Sequence, residues 1–494
     1  MRLHDTLTGQ VAPFVPVEPG KARIYVCGPT VYDYPHIGHV RCYVVYDVLV
    51  RHLRAQGVAV TYVRNVTDID DKIVRRAKEV GEKPVELARR FTAIFHEDMA
   101  KVGVLPADIE PRVSEHLPEI FRLIGALIER GAAYRVDDDV YFRVKAFPGY
   151  GKLSHRRLDD LSHGASGRID EEESRRKEHP ADFALWKSDD DPDATWESPW
   201  GRGRPGWHIE CSAMSTRYLG ESFDLHGGGL DLVFPHHENE IAQSEAVSGK
   251  PLARTWVHNG FVEVNKEKMS KSLGNFFTAR EVFRWVEPEA MRWFVMTVHY
   301  RTPLHLDWSL DAEGRVCGFP QIEEAERRVE YLYRTRERLD AVNPAKLHAD
   351  RPVPAVLVGL QARLAEALDD DLNMPVALAI ATEALREVNE LCEAAGRKAG
   401  AGREAVAAAV AAFGVLGRVL GLGNDDTTAF LGRLQQRRIE RLGLDRADVD
   451  RRVKEREEAR RARDFARADA IRDELAGMGV ELMDAAQGSA WRVR

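Results

Sequence analysis

Residues 22–63 read ARIYVCGPTVYDYPHIGHVRCYVVYDVLVRHLRAQGVAVTYV. The opening ARIYVCG is a short apolar strand that stops at Gly28-Pro29, where proline removes a backbone donor. A loop from Thr30 to His36 follows. From Gly38 to Gln56 the apolar residues Val40, Val44, Val48, Leu49 and Leu53 recur at helical spacing, and Gly57 ends the run. Val58–Val63 is a second, β-branched strand. Strand, helix and strand in this order form a βαβ unit, which predicts a parallel sheet with its ligand site at the carboxyl ends of the strands. The expected fold is therefore α/β, with a Rossmann-like catalytic sheet.

Outward from this unit the rhythm changes. Residues 112–200 combine a helical piece (Leu117 to Arg130), a β-like piece (Tyr134 to Val144) and a charge-dense stretch from Arg168 to Asp193. This reads as an insertion between two halves of the sheet domain, 1–111 and 201–255. The sheet pattern resumes over Ser222 to Phe234, a helix starts near His237, and Trp256 to Val264 is expected as one strand. From about residue 311 the chain turns helical. Val329, Leu332 and Leu339 form one stripe, and Val376, Ile380, Ala384 and Val388 form another, opened by Asn373 and Pro375. Pro352 and Pro354 mark a joint between helices. The helical bundle spans 311–423, and a linker at Gly423-Asn424-Asp425-Asp426 leads into 424–494, with a single arginine-rich helix expected over Arg451 to Ala476.

Bulk properties limit the function classes. The chain has 494 residues, 44% hydrophobic and 30% charged, an ordinary globular composition with room for several cores. A formal charge of −8 argues against non-specific coating of nucleic acid, though a local basic face remains compatible with a specific one. The beginning MRLHDTLTGQ lacks the pattern of a signal peptide. The uncharged stretch Ala405–Gly417 is too short to span a bilayer and suits a buried helix. Five scattered cysteines suggest a reducing cytoplasm and a metal-ligand or nucleophile role rather than a disulfide framework.

The chain contains neither a Walker A sequence nor G-x-G-x-x-G, and Gly227-Gly228-Gly229 has the spacing of neither. Phosphate chemistry is instead expected where His36, Gly38 and His39 meet the start of a helix. The helix amino terminus offers free N–H groups and a positive dipole end. Gly38 permits close approach of a base or ribose, and two imidazoles can donate to phosphate oxygens as charge develops. Lys268-Met269-Ser270-Lys271-Ser272 supplies two lysines able to neutralise a leaving pyrophosphate. Each motif alone is weak, but their order, one in each half of an α/β sheet, is specific.

A metal site is the second candidate. Cys27 ends the first strand beside the nucleotide loop. Trp207-His208-Ile209-Glu210-Cys211 brings another cysteine, and Phe234-Pro235-His236-His237-Glu238-Asn239-Glu240 brings histidines and carboxylates. His236 and Glu240 lie four apart, on one face of a helix. Cys27, Cys211, His236 and Glu240 would make a tetrahedral zinc site, with His237 and Glu238 as competing ligands.

The histidine and lysine motifs together resemble the two signatures of class I aminoacyl-tRNA synthetases. The longer runs Cys27 to Asp33, Ser198-Pro199-Trp200-Gly201, Gly206 to Met214, and His226-Gly227-Gly228-Gly229-Leu230-Asp231 with PHHENE resemble the cysteinyl-tRNA synthetase family. That resemblance implies activation of L-cysteine with ATP and Mg²⁺ and transfer to the 3′ end of tRNA(Cys). It implies that His36, Gly38, His39, Lys268 and Lys271 serve ATP and that residues 256–310 carry the lysine loop and contact the tRNA stem. It further implies one zinc ion on Cys27, Cys211, His236 and Glu240, which binds the substrate thiolate, and contacts to the amino acid from Thr67, Trp207 and Asp231. Zinc discriminates sulfur from oxygen where shape alone separates cysteine and serine poorly. A monomer is expected.

The nearest alternative is a cysteine ligase of mycothiol biosynthesis, which resembles this machinery but joins cysteine to an amino sugar. A non-catalytic zinc-dependent thiol sensor is a third reading. Intact signatures argue against the sensor, and the carboxyl-terminal part argues against the sugar ligase. Asp369 to Pro375 and the tail from Arg463 resemble the synthetase's helical and anticodon domains. Arg460, Arg461, Arg463, Arg467 and Arg472 are placed on one helix, and Arg463, Arg467 and Trp491 are the expected tRNA contacts, arginine for phosphates and an aromatic for a splayed base.

Overall fold

A computed structural model describes residues 1–158, 176–264, 267–268, 276–348, 352–396, 400–485 and 488–493. Its centre is a four-stranded sheet in the order Ala253–Asn259, Phe223–Gly229, Lys21–Val26, Ala59–Arg64, with every pairing parallel. The first strand lies inside the sheet. The chain builds outward from it to Ala59–Arg64, then returns on its other side with Phe223–Gly229. The strand order thus reverses between Lys21–Val26 and Phe223–Gly229, the place where open α/β sheets leave a crevice for ligands. Isolated parallel bridges of Val63 with Ile109 and Val66 with Arg112 extend the edge.

The Ile37–Ala55 helix crosses from the first strand to the second. Ile37, Val40, Val44, Val48 and Leu49 are fully buried in the core beneath the sheet. The insertion carries a four-stranded antiparallel sheet, Ala133–Val136, Asp139–Phe142, Phe183–Ser188 and Gly203–Pro205. Its residues 159–175 lie outside the described ones, and with them most of the amino-terminal half of the 168–193 stretch.

Several elements differ from the sequence expectation. Trp256–Val264 is not one strand. Ala253–Asn259 belongs to the central sheet, whereas Val262–Val264 joins a separate three-stranded sheet. The break falls at Gly260, where a Cβ would lie 2.7 Å from the Arg301 carbonyl oxygen, so the backbone passes too close for a side chain. The sheet segment expected over 222–234 is strand only over Phe223–Gly229. The arginine-rich segment forms two helices, Arg446–Arg461 and Phe465–Gly477, because Arg463 turns the chain at φ 62°. Val376 is exposed, and Ala377 takes its place on the buried stripe with Ile380, Ala384 and Val388. The Ala405–Gly417 stretch lies within the Arg403–Leu420 helix, with Ala405, Ala409, Phe413 and Leu416 buried.

The helical part shares one apolar core with the sheet domain, running from Leu3 through Val44 and Leu332 to Leu434. Beyond it, Val449, Val453, Ile471, Leu475 and Val480 form a small separate core, against which Trp491 packs. Among the described residues, no helix is long and apolar enough to cross a membrane.

Candidate metal and nucleotide site

Cys27 follows the last residue of the first strand and donates its backbone N–H to Gly227 O at 3.2 Å, across the switch point. Gly28 is obligatory, since a Cβ there would lie 1.5 Å from the Asn65 carbonyl oxygen. Gly227 is needed for another reason: a Cβ would meet the Tyr46 ring at 2.3 Å. That ring comes close because the Tyr46 hydroxyl accepts from Gly228 N and donates to Val257 O, both at 2.6 Å. The glycine cluster therefore serves packing of the Ile37–Ala55 helix onto the sheet.

Three further segments meet at Cys27. The Trp207–Leu219 helix presents Trp207, Glu210 and Cys211 on one face. A helical turn over Val233–His237 and the Glu238–Ser248 helix deliver His236, His237 and Glu240. All of Cys27, Cys211, His236, His237 and Glu240 are buried. Cys27 Sγ lies 3.8 Å from Cys211 Sγ, 3.3 Å from His237 Nε2 and 3.5 Å from Glu240 Oε1. Glu240 Oε1 is 3.1 Å from His236 Nε2 and 3.9 Å from His237 Nε2.

These separations suit ligands of one tetrahedral ion. With Zn–S near 2.3 Å and Zn–N or Zn–O near 2.0–2.2 Å, two sulfurs stand about 3.8 Å apart and a sulfur and a nitrogen or oxygen about 3.5 Å. The donors that lie within 4.8 Å of one another are Cys27, His236, His237 and Glu240. His237 thus stands inside the group, while the expected ligand Cys211 lies outside it, 3.8 Å from Cys27 Sγ and 3.7 Å from Asn65 Oδ1. Glu238 is engaged elsewhere: it accepts from Gly151 N, Leu153 N and Ser154 N at 2.8–3.1 Å, fastening the insertion to the sheet domain.

The surroundings orient these donors. His237 Nδ1 is 2.7 Å from His258 Nε2, whose Nδ1 is 2.8 Å from the Thr6 hydroxyl. His226 Nε2 is 2.8 Å from Glu240 Oε2, and His208 Nδ1 is 3.0 Å from His236 Nδ1. Second partners of this kind fix imidazole tautomers and ring orientation. Burial pushes the pKa of His236 and His237 well below the usual range, leaving neutral imidazoles able to offer a lone pair. Burial, then Cys211 and Glu240, push the Cys27 thiol up, and burial with Cys211, Asp70 and Asp68 pushes the Glu210 carboxyl up. A bound cation inverts that logic for its thiol ligands.

The nucleotide side lies on the same helix start. His36 caps Ile37–Ala55, its N–H reaching His39 Nδ1 at 3.2 Å, and the two rings stack with centroids 3.8 Å apart. His36, Gly38 and His39 are all partly open to solvent. The segment following the lysine motif is tied to this loop: Ile37 N donates to Phe277 O at 3.4 Å and Ala279 N to Pro35 O at 2.7 Å. The Lys268 backbone ends the short strand Glu267–Lys268, and Lys271 lies outside the described residues.

The remaining candidates spread around the cluster. Trp207 stacks on His236, centroids 4.2 Å apart, with Lys72 Nζ 5.9 Å from its ring centroid. Thr67 hydrogen-bonds Glu210 at 3.4 Å and Asn65 at 3.2 Å, one step from the sulfurs. Asp231 is exposed beyond the Phe223–Gly229 strand. Arg463 and Arg467 are exposed, and Trp491 Nε1 donates to Asp450 at 2.7 Å. Three residues of the site were missed in the sequence: Asn65 and His258, which carry no spacing signal, and Tyr43. Tyr43 follows His36 and His39 at helical spacing, which is the one sign that could have drawn attention to it.

The parallel sheet, its switch-point cluster and the two histidines at the first crossover helix belong to a synthetase of class I, as the family comparison shows. A family model described as "tRNA synthetases class I (C) catalytic domain" matches residues 13–312, and one described as "DALR domain" matches 363–424. The fold is similar to a Mycobacterium tuberculosis methionyl-tRNA synthetase (TM-score 0.58, 17% identity, covering 81% of this chain and 92% of that one). An Agrobacterium radiobacter LeuRS is similar too (TM-score 0.55, 13% identity, 83% and 85% covered). Curated relatives named cysteine–tRNA ligase are 49% identical in Anaeromyxobacter sp. strain K (100% of this chain, 99% of that protein) and 46% identical in Geobacter sulfurreducens (100% of both). The chain belongs to the cysteine–tRNA ligase family.

Proposed function

We infer that the chain activates L-cysteine with ATP and transfers the cysteinyl group to the 3′ end of tRNA(Cys). The observation that carries this reading is the buried cluster of Cys27, His236, His237 and Glu240 at the sheet's switch point, with Cys211 beside Cys27, and Cys27 itself nine residues along the chain from His36. In the first step the cysteine carboxylate attacks the α-phosphorus of ATP, and pyrophosphate leaves. His36 and His39 hydrogen-bond phosphate oxygens there, and Lys268 and Lys271 offset the charge of the leaving group. In the second step a terminal ribose hydroxyl of the tRNA attacks the activated carbonyl, and AMP leaves. Positioning and charge stabilisation suffice for both displacements.

Cys27, Cys211, His236 and Glu240 hold zinc in this reading, with His237 as the alternative donor to Cys211. A zinc ion there supplies a soft Lewis acid that favours a thiolate over a serine hydroxyl and lowers the thiol pKa. Thr67, Trp207 and Asp231 hold the rest of the amino acid. A reducing cytoplasm keeps the two thiols available to the metal. Arg463, Arg467 and Trp491 contact the tRNA. The sugar-ligase and thiol-sensor readings lose support, since the full-length relatives are named as tRNA ligases.

ATP–pyrophosphate exchange with a panel of amino acids, with and without chelator, followed by charging of tRNA, tests this reading. Exchange is expected with cysteine alone and to fall to background when the metal is removed. Equal exchange with another amino acid, or full exchange without metal, would overturn it.

A further inference from the structure

We propose that Arg41 is a positioning residue for the lysine motif, fastening the strand that leads into it to the helix that starts at His36 and His39; the proposal rests on the amino-acid-activating reading above. Arg41 lies two residues past His39 on the Ile37–Ala55 helix and so turns away from it. It is 1% exposed, one of the largest fully buried side chains. Among the described residues its guanidinium forms no ion pair and meets backbone carbonyls instead. Nη1 donates to Phe261 O, and Nη2 donates to Thr302 O and to Tyr300 O, the latter at 3.0 Å. A guanidinium buried without a carboxylate is costly, and an apolar side chain would fill the space without that cost. What arginine adds here is a rigid fork that aligns three carbonyls.

The three carbonyls belong to the two segments that enter the sheet beside the motif. Phe261 precedes Val262–Val264, which pairs parallel with Leu304–Leu306 and antiparallel with Glu267–Lys268. Phe261 O also accepts from Leu304 N, and Tyr300 O from Gly260 N, both at 2.9 Å. Arg41 therefore takes the second lone pairs of carbonyls that already stitch these segments together. A Cβ at Gly260 would lie 2.7 Å from Arg301 O and 3.0 Å from Thr302 O, so the two backbones touch within the fork's reach. The far flank of the motif is held as well: Thr278 forms a bridge with His36, and Ala279 N donates to Pro35 O at 2.7 Å. Arg41 before the motif, and Pro35 and His36 after it, thus tie both flanks to one helix start. That bracket fixes where the strand leading to Lys268 begins relative to His36 and His39, with no contact between Arg41 and the nucleotide required.

The test uses the metal-loaded full chain in cysteine-dependent ATP–pyrophosphate exchange. Arg41→Lys keeps the charge but loses the planar fork, and Arg41→Met keeps only the packing. Both are expected to lower kcat about tenfold, with KM for cysteine and metal content within about twofold of the parent. Lys271→Ala should cost about tenfold less in either variant than in the parent, since a displaced motif has already lost that contribution. Amide hydrogen exchange reads the fastening without activity. Val262–Val264 should exchange about tenfold faster in both variants, while Phe223–Gly229 stays within about twofold. Additive effects of the Arg41 and Lys271 substitutions, unchanged exchange at Val262–Val264, or exchange raised equally in both strands would overturn the role of Arg41 and leave the reading above standing. A parent that shows no cysteine-dependent exchange would remove that reading, and the proposal with it.

Discussion

The Tyr43 hydroxyl donates to the Cys27 carbonyl oxygen at 3.2 Å, joining the helix that starts at His36 and His39 to the cysteine of the candidate metal cluster. Tyr43 is buried and lies under the His39 ring, with centroids 6.4 Å apart. One rigid element thereby sets both His36 and His39 and the strand end that carries Cys27. Tyr43→Phe keeps the ring and its packing but frees the Cys27 carbonyl. A net hydrogen bond is worth about 0.5–1.5 kcal/mol, so kcat/KM for cysteine in pyrophosphate exchange should fall roughly threefold to tenfold, with metal content unchanged. An unaltered value would show that the contact has no bearing on activation.

Cys211 and His237 each lie within 4 Å of Cys27 Sγ, and substitution separates their roles. Cys211→Ser is expected to lose zinc and cysteine-dependent exchange together. His237→Asn should retain metal with an affinity lowered about 10–100-fold, as for a group that orients a ligand. Metal analysis after dialysis against graded chelator reads both. The reverse ranking would make His237 the fourth ligand and Cys211 its neighbour.

The boundary of the carboxyl-terminal unit can be tested by truncation. A cut at residue 425 would remove Phe430, Leu431 and Leu434, which belong to the main core, and Arg437, which pairs with buried Glu287 at 3.1 Å. Ending the chain before Asp445 instead leaves that core whole and removes the small core around Val449 and Ile471, together with the Val493 carbonyl that accepts from Arg438 at 3.1 Å. Such a truncation should spare cysteinyl-adenylate formation and weaken tRNA charging by tenfold or more, in steady-state charging assays (on the order of 1.4 kcal/mol). Equal charging by the shortened enzyme would exclude Arg463, Arg467 and Trp491 from tRNA recognition.

His52 gives a pH dependence of known sign. Its ring is 1% exposed and its Nε2 lies 2.8 Å from Asp369, tying the crossover helix to the helical bundle. Burial lowers its pKa, and Asp369 opposes the shift only in part. The unfolded chain therefore binds a proton more readily than the folded one. Stability contributed by neutral His52 is present above the unfolded value of about 6.5 and is lost as pH falls through it, by no more than about 1.4 kcal/mol per pH unit. Urea unfolding from pH 7.5 to 5.5 should be less steeply pH-dependent in His52→Gln than in the parent. Parallel profiles would remove His52 as a contributor.

Residues 22–63 alone determined the crossover unit: helical spacing of Val40, Val44 and Val48 between two β-branched strands is local physics, and the strands and helix form there. The histidines and lysines, with the runs around Cys27, Cys211 and PHHENE, likewise carry the family in their order along the chain. Local periodicity is weaker where backbone contacts from elsewhere intervene. Gly260 breaks an apparent strand because the 301–302 backbone crosses it, and Arg463 breaks an apparent helix by adopting a positive φ.

Tertiary structure decided what spacing could not. Cys27 and Cys211 are 184 residues apart and come to 3.8 Å only because the strand order reverses between Lys21–Val26 and Phe223–Gly229. Whether Glu238 binds a metal or the insertion's backbone, and whether His237 faces the cluster, depends on the turn over Val233–His237 and on the loop at Gly151–Ser154. Residue types set which ligands and protons are available. The packing of distant segments sets which of them share one small, dry space.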